Sequence, residues 1–213
     1  IALRYFADIK VLGRENLYSM KHGAIFAVNH SSELDPILVP ATLRPMSRLM
    51  PMFYISRERS FYPKAKNNGI VKYFYGGTFF KIWGAYPAVV GTGDYELALR
   101  HHLRILEHGK SICIFPEGRK TRDGEIGEGK AGVAYLLWRT GVPVVPVAIH
   151  GHYKMSSDDF LSRTHKITVS YGKPLTREEL FGPSSDRIQP TREDLKAAAQ
   201  IITSRIREMY EVI

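Results

Sequence analysis

Short apolar runs alternate with amphipathic stretches along this chain, and the alternation predicts strands separated by helices. Ala24 to Asn29 reads as a strand, and Leu34 to Leu43 as a helix ending before Pro45. Leu49 to Ile55 is a second strand-like run, and Lys64 to Tyr75 a helix closed by Gly76-Gly77. Asp94 to His108 is the clearest helix: Asp94 caps it, Leu97, Leu103 and Leu106 supply its apolar positions, and Gly109 ends it. Ser111 to Phe115 is a strand, Gly129 to Thr140 a helix stopped by Gly141, and Pro143 to Ile149 a Val-rich strand buried on both faces. Lys166 to Tyr171 is another strand. Thr191 to Val212 closes the chain as a long helix, with Thr191 and Asp194 forming a capping-box-like start. The pattern gives an α/β fold, with a mostly parallel central sheet flanked by helices. No repeat, low-complexity segment or linker breaks it, so residues 1–213 read as a single domain.

Composition narrows the class. The 213 residues are 44% hydrophobic, which predicts a packed core rather than disorder. Thirty Lys and Arg against 21 Asp and Glu give a net charge of +9. That balance suits an anionic partner, such as phospholipid headgroups, a phosphorylated substrate, an acidic carrier protein or nucleic acid. The basic residues are scattered with no nucleic-acid motif, which argues against a nucleic-acid partner. Cys113, the one cysteine, lies in an apolar run and reads as a buried thiol. No internal disulfide can form, which is compatible with a reducing compartment. No run of about twenty apolar residues predicts a transmembrane helix, and no signal peptide is recognisable. The sequence opens on Ile1 rather than Met.

The densest chemistry follows the first strand, at Asn29-His30-Ser31-Ser32-Glu33-Leu34-Asp35. A tight strand-to-helix turn can bring Asp35 back to the His30 imidazole. The carboxylate would then hold one ring nitrogen and leave the other to take a proton. Ser31 or Ser32 could cap the helix. Taken alone, a histidine at a polar helix start is more often a hydrogen-bonded surface residue. A second strand end opens into Phe115-Pro116-Glu117-Gly118-Arg119-Lys120-Thr121-Arg122, and a third block reads Val142-Pro143-Val144-Val145-Pro146-Val147.

These three blocks, in this order, resemble the glycerophospholipid acyltransferase family over about Gly13 to Gly172. The first matches its His-four-Asp motif, the second its Phe-Pro-Glu-Gly motif, and the third its Val-Pro-rich strand. The resemblance implies transfer of a fatty acyl group from an acyl thioester to a lysophospholipid hydroxyl. The donor would be acyl-CoA or acyl-carrier protein, and the acceptor 1-acylglycerol-3-phosphate. His30 would be the base and Asp35 its orienting group, while Glu117 and Gly118 would bind the acceptor. Arg119, Lys120 and Arg122 form a basic cluster able to bind phosphate, or a solvated loop. No metal or bound organic cofactor is implied. Backbone N–H groups at the helix start, or nearby basic side chains, are candidates for oxyanion stabilisation.

The chain departs from the family pattern at two points. Arg119-Lys120 stands where the family has Thr-Arg, and Lys lacks the bidentate fork. Val90 stands where a phosphate-binding arginine normally precedes Gly91. Either Arg57, Arg59, Arg119 and Lys120 supply the phosphate contacts, or the acceptor is a different lipid. A non-catalytic lipid-binding protein of the same fold is the alternative of another class. Substrate type and charge place the chain at an anionic membrane surface, on the cytoplasmic face.

Ile70 to Val90 is rich in aromatics and glycine, which reads as an acyl-chain tunnel, a membrane-docking segment or ordinary core. His101, His102, His150 and His152 read as surface or capping histidines, although the last two could approach the active face. No Cys/His cluster has metal-ligand spacing, and no Gly-x-Ser-x-Gly elbow, P-loop or dinucleotide fingerprint is present.

Overall fold

Four consecutive apolar residues, Ile25–Val28, form strand β2, which has no exposed face and lies inside the sheet. The computed structural model describes residues 8–32, 34–44, 46–57, 84–89, 91, 93–155, 159, 166–183 and 189–213. Among these, seven strands form one sheet: β1 (Asp8–Leu12), β2, β3 (Met52–Arg57), β4 (Ala85–Ala88), β5 (Ser111–Ile114), β6 (Val144–His150) and β7 (Lys166–Tyr171), in the order β1-β7-β6-β2-β5-β3-β4. Every pairing is parallel except β6 with β7. The helices are α1 (Asp35–Thr42), α2 (Tyr95–Glu107), α3 (Gly132–Thr140), α4 (Arg177–Phe181) and α5 (Arg192–Glu211). The α/β, mostly parallel architecture expected from the pattern is what forms.

Strand side chains alternate between two cores. Ile25, Ala27, Ile112, Val144 and Ala148 face α2, α3 and α5. Phe26, Val28, Cys113, Val145, Val147 and Ile149 face the other way, onto Leu38 and Val39 of α1 and onto Tyr171. Burial of this kind contributes about 25 cal/mol per Å² of apolar surface removed from water. It fixes the strand ends that carry the chemistry.

Helix ends follow their capping residues. The Asp94 side chain accepts from Glu96 N at 2.8 Å and Leu97 N at 3.2 Å, and Thr191 with Asp194 completes a capping box. Leu97, expected in the core, is 45% exposed. The buried stripe runs Leu99, Leu103, Leu106, spaced four and three residues apart on one helical face. The third helix begins at Gly132 rather than Gly129. A Cβ at Gly129 would meet Thr203 Oγ1 at 2.1 Å, so this glycine serves a close approach to α5. Strand β3 starts at Met52 rather than Leu49, after Pro51, which has no N–H for the ladder.

Strands β1 and β4 and helix α4 go beyond what the sequence pattern predicts. β1 is an edge strand with no fully buried residue, and β4 is only four residues long and contains Pro87. The expected Lys64–Tyr75 helix lies outside the described residues, as do Val90, Arg59 and Tyr73 to Trp83 of the aromatic segment. No helix among the described residues is long and apolar enough to cross a membrane.

The topology gathers three strand ends at one edge of the sheet, the place where open α/β sheets form their ligand crevice. β2 lies between β5 and β6, all three parallel, so His30, Phe115 and Gly151 leave the same edge. The chain departs from β2 through α1 on one face and from β5 through α3 on the other. Ligands in open α/β sheets bind where the connections diverge in this way.

Candidate active site

The turn from β2 into α1 folds around one carboxylate. Asp35 is the first residue of α1 and is fully buried. Its Oδ2 accepts from Ser31 N at 2.8 Å and Ser32 N at 3.0 Å, and His30 Nδ1 lies 2.8 Å away. Burial alone would raise the Asp35 carboxyl. The hydrogen bonds from His152 and His30, with the backbone of Ser32, outweigh it and hold the group below its ordinary value. An ionised carboxylate only accepts, so His30 Nδ1 carries a proton, and in the neutral ring the lone pair is then on Nε2. The helix N-cap is Leu34, with no side-chain cap, so neither serine caps α1. The amides of Ser31 and Ser32 are spent on Asp35, which removes them as oxyanion donors.

A second histidine completes the carboxylate. His152 is 1% exposed, and its Nε2 meets Asp35 Oδ1. Ser31 Oγ lies 3.1 Å from the same nitrogen. His152 is therefore neither a surface nor a capping residue. β6 ends at His150, and Gly151 turns the chain back with φ of 91°. The same position allows no side chain, because a Cβ would lie 2.1 Å from the Lys166 carbonyl oxygen. His150 points to the other face, its ring 5.0 Å from that of Tyr210. Asn29 ties the strand ends together: its amide donates to Ile149 O at 3.0 Å and accepts from Ile149 N at 2.7 Å.

The Phe115–Gly118 turn clasps His30 from the β5 side. The His30 ring stacks on Phe115 with centroids 4.0 Å apart. Glu117 is buried, and its Oε1 accepts from His30 N at 3.0 Å while Oε2 accepts from Gly127 N at 3.0 Å. Thr121 N donates to His30 O at 2.8 Å. Both backbone groups of His30 are thus held by this loop. Gly118 has φ of 66°, which favours glycine, and a Cβ there would meet Lys130 Nζ at 2.8 Å.

Arg119, Lys120 and Arg122 are exposed on the loop that follows. Tyr153 OH donates to Arg122 O at 2.6 Å, and the Thr121 hydroxyl donates to Asp123 at 2.8 Å. Lys130, beside Gly118, is a further cation that sequence spacing gave no reason to include.

The remaining histidines separate. His102 is fully buried, contrary to the surface reading, and its Nε2 donates to Tyr86 O at 3.2 Å. Burial pushes it down to about 4. Cys113 is buried as expected, and burial pushes its thiol up.

The acyltransferase family model matches residues 8–150. A probable 1-acyl-sn-glycerol-3-phosphate acyltransferase of Mycoplasma pneumoniae is 22% identical over 97% of this chain and 73% of its own length. The chloroplastic 1-acyl-sn-glycerol-3-phosphate acyltransferase LPAT1 of Arabidopsis thaliana is 27% identical over 73% of this chain, but only 39% of the plant protein is covered. In three dimensions the chain is similar to the 1-acyl-sn-glycerophosphate acyltransferase PlsC of Thermotoga maritima. The TM-score is 0.62 at 21% identity, covering 98% of this chain and 75% of that one.

Proposed function

Because this chain belongs to the acyltransferase family, we propose that it moves a fatty acyl group from an acyl thioester to a hydroxyl of a lysophospholipid, 1-acylglycerol-3-phosphate first among them. The donor is acyl-CoA or acyl-carrier protein, entering as a co-substrate, with no resident cofactor. One observation carries the reading: His30 Nδ1 sits 2.8 Å from a buried, ionised Asp35, which leaves Nε2 basic.

His30 Nε2 takes the proton of the acceptor hydroxyl as that oxygen attacks the thioester carbonyl carbon. A tetrahedral oxyanion forms and collapses, the C–S bond breaks, and the imidazolium returns the proton to the departing thiolate sulfur. The products are an ester and a free thiol. General-base catalysis of this kind contributes about 10²–10⁴-fold. Asp35 keeps the ring in the right tautomer and stabilises the imidazolium without taking the proton itself. With the Ser31 and Ser32 amides engaged, oxyanion stabilisation falls to basic side chains near the crevice.

The acceptor phosphate is held by Arg119, Lys120 and Arg122, with Gly118 giving the backbone close approach. Lys130, beside Gly118, adds to the positive charge there. Glu117 serves the acceptor site from beneath, since both its oxygens accept from the protein backbone. The names of the Mycoplasma and Arabidopsis relatives support a 1-acylglycerol-3-phosphate acceptor. The +9 charge supports work at an anionic membrane surface, placed here on the cytoplasmic face. Flotation with anionic vesicles that leaves the protein unbound would remove that placement.

The test is free-thiol release from palmitoyl-CoA and from acyl-carrier protein, each with a panel of lysophospholipids. Release with lysophosphatidic acid is the expected result. Release only with another lysolipid would redirect the acceptor assignment. A folded protein releasing no thiol with any pair would overturn the reading in favour of a lipid-binding role.

A further inference from the structure

Resting on the His30 reading above, we propose that His152 is a positioning residue for this reaction, holding Asp35 in the orientation in which it fixes His30. The carboxylate has two oxygens with different partners. Oδ2 takes His30 Nδ1 and the amides of Ser31 and Ser32. Among the described residues, Oδ1 takes only His152 Nε2.

Because the carboxylate only accepts, His152 must present its Nε2 proton. Its Nδ1 is buried with no hydrogen-bond partner among the described residues. The ring is therefore anchored through a single nitrogen, and that nitrogen serves Asp35. Among the described residues its other polar neighbour is the Ser31 hydroxyl, at that same nitrogen. A fully buried imidazole with one half unpaired is an unfavourable core filler, and its cost is offset here by the bond to the carboxylate.

The chain geometry is built to deliver this contact. Gly151 alone permits the φ of 91° and the close pass by Lys166 O that turn residue 152 inward. Asn29 locks the end of β2 to Ile149, three residues before His152. The Ser31 hydroxyl, on the residue after His30, lies 3.1 Å from His152 Nε2. His152 thus touches both Asp35 and the turn that carries His30. Without its donor, Oδ1 is a bare buried anion. It must then rotate to share other donors or take a proton, and either change spoils its acceptance from His30 Nδ1.

The experiment compares the wild-type protein with His152→Leu, which has no donor, and His152→Gln, whose amide nitrogen reaches the place of Nε2. Thiol release gives kcat and acceptor KM. In ring-¹⁵N-labelled protein, the low-field Nδ1 proton of His30 reports the Asp35 contact without any turnover. His152→Leu is expected to lower kcat about tenfold or more, the scale of losing a hydrogen bond to a charged group, with acceptor KM unchanged. The His30 resonance should move upfield. His152→Gln should restore both. If His152→Leu does not fold, His152→Asn replaces it, since its shorter amide falls short of Oδ1. An unchanged His30 resonance in the donor-free variant overturns the proposal, as does equal kcat in the Gln and donor-free variants. If the wild-type protein releases no thiol but His152→Leu still moves the His30 resonance upfield, the acyl-transfer reading falls and the positioning of Asp35 stands.

Discussion

The main-chain N–H of His30 donates to Glu117 Oε1 at 3.0 Å, across 87 residues of sequence. The carboxylate's other oxygen holds Gly127 N. Glu117 therefore braces the backbone that carries His30. Glu117→Gln keeps one acceptor oxygen but turns an amide N–H toward a backbone donor. It is expected to lower kcat about tenfold and cost about 1–3 kcal/mol of stability, the scale of an unsatisfied buried group. Steady-state kinetics and thermal melting check both. A rise in acceptor KM with unchanged kcat would instead mean that the carboxylate binds the acceptor.

Asp35→Asn preserves shape and removes charge. Its amide must face donors on both sides, because every group around Asp35 presents an N–H. Stability is expected to fall by about 1–3 kcal/mol, the scale of a buried donor left unsatisfied. Activity should fall about 10²–10⁴-fold. Calorimetry alongside thiol release separates the two effects.

His102 makes stability depend on pH. Its folded value is depressed from 6.5 to about 4 by burial, so the unfolded chain binds the extra proton between those values. Stability is full above pH 6.5 and falls as the pH drops toward 4, by roughly 3 kcal/mol in total. Asp35 acts lower down. Its folded value lies below 3.8, so its contribution is present above that and is lost as the pH falls further. Melts across about pH 7.5 to 4.5, with His102→Phe as the comparison, should show a flatter profile for the variant. Parallel profiles would contradict the assignment.

Gly151 and Gly91 share a φ of 91° but differ in surroundings. Gly91→Ala meets nothing within 4 Å among the described residues and is expected to cost about 1 kcal/mol from backbone strain. Gly151→Ala drives a Cβ against Lys166 O, and is expected to cost about 2–3 kcal/mol more and to reduce activity by displacing His152. Chemical denaturation of both variants checks the difference.

What was legible in the sequence was local. His30 and Asp35 are five residues apart on one strand-to-helix turn, so their meeting needs only the turn. Asp94 and Thr191 announced their helices through capping chemistry that acts within one turn. His152 was legible only in part: its place after the Val-Pro strand allowed an approach to the active face, which the structure shows, but its contact with Asp35 spans 117 residues. Its approach depends on β6 lying beside β2 and on the turn at Gly151. The available signal was a glycine between two histidines at the end of a buried strand. The inward orientation of Glu117 was equally hidden, since the partner amides come from two other segments. Leu97 misled because the true stripe begins two residues later, at Leu99.

His30, as the proposed base, is the residue on which the acyl transfer depends most. The most direct measurement is thiol release by His30→Ala, with the donor and acceptor that the wild-type protein uses best and with both melting temperatures recorded. The expected result is a loss of about 10²–10⁴-fold in kcat at an unchanged melting temperature. A folded His30→Ala protein that releases thiol at the wild-type rate would contradict it.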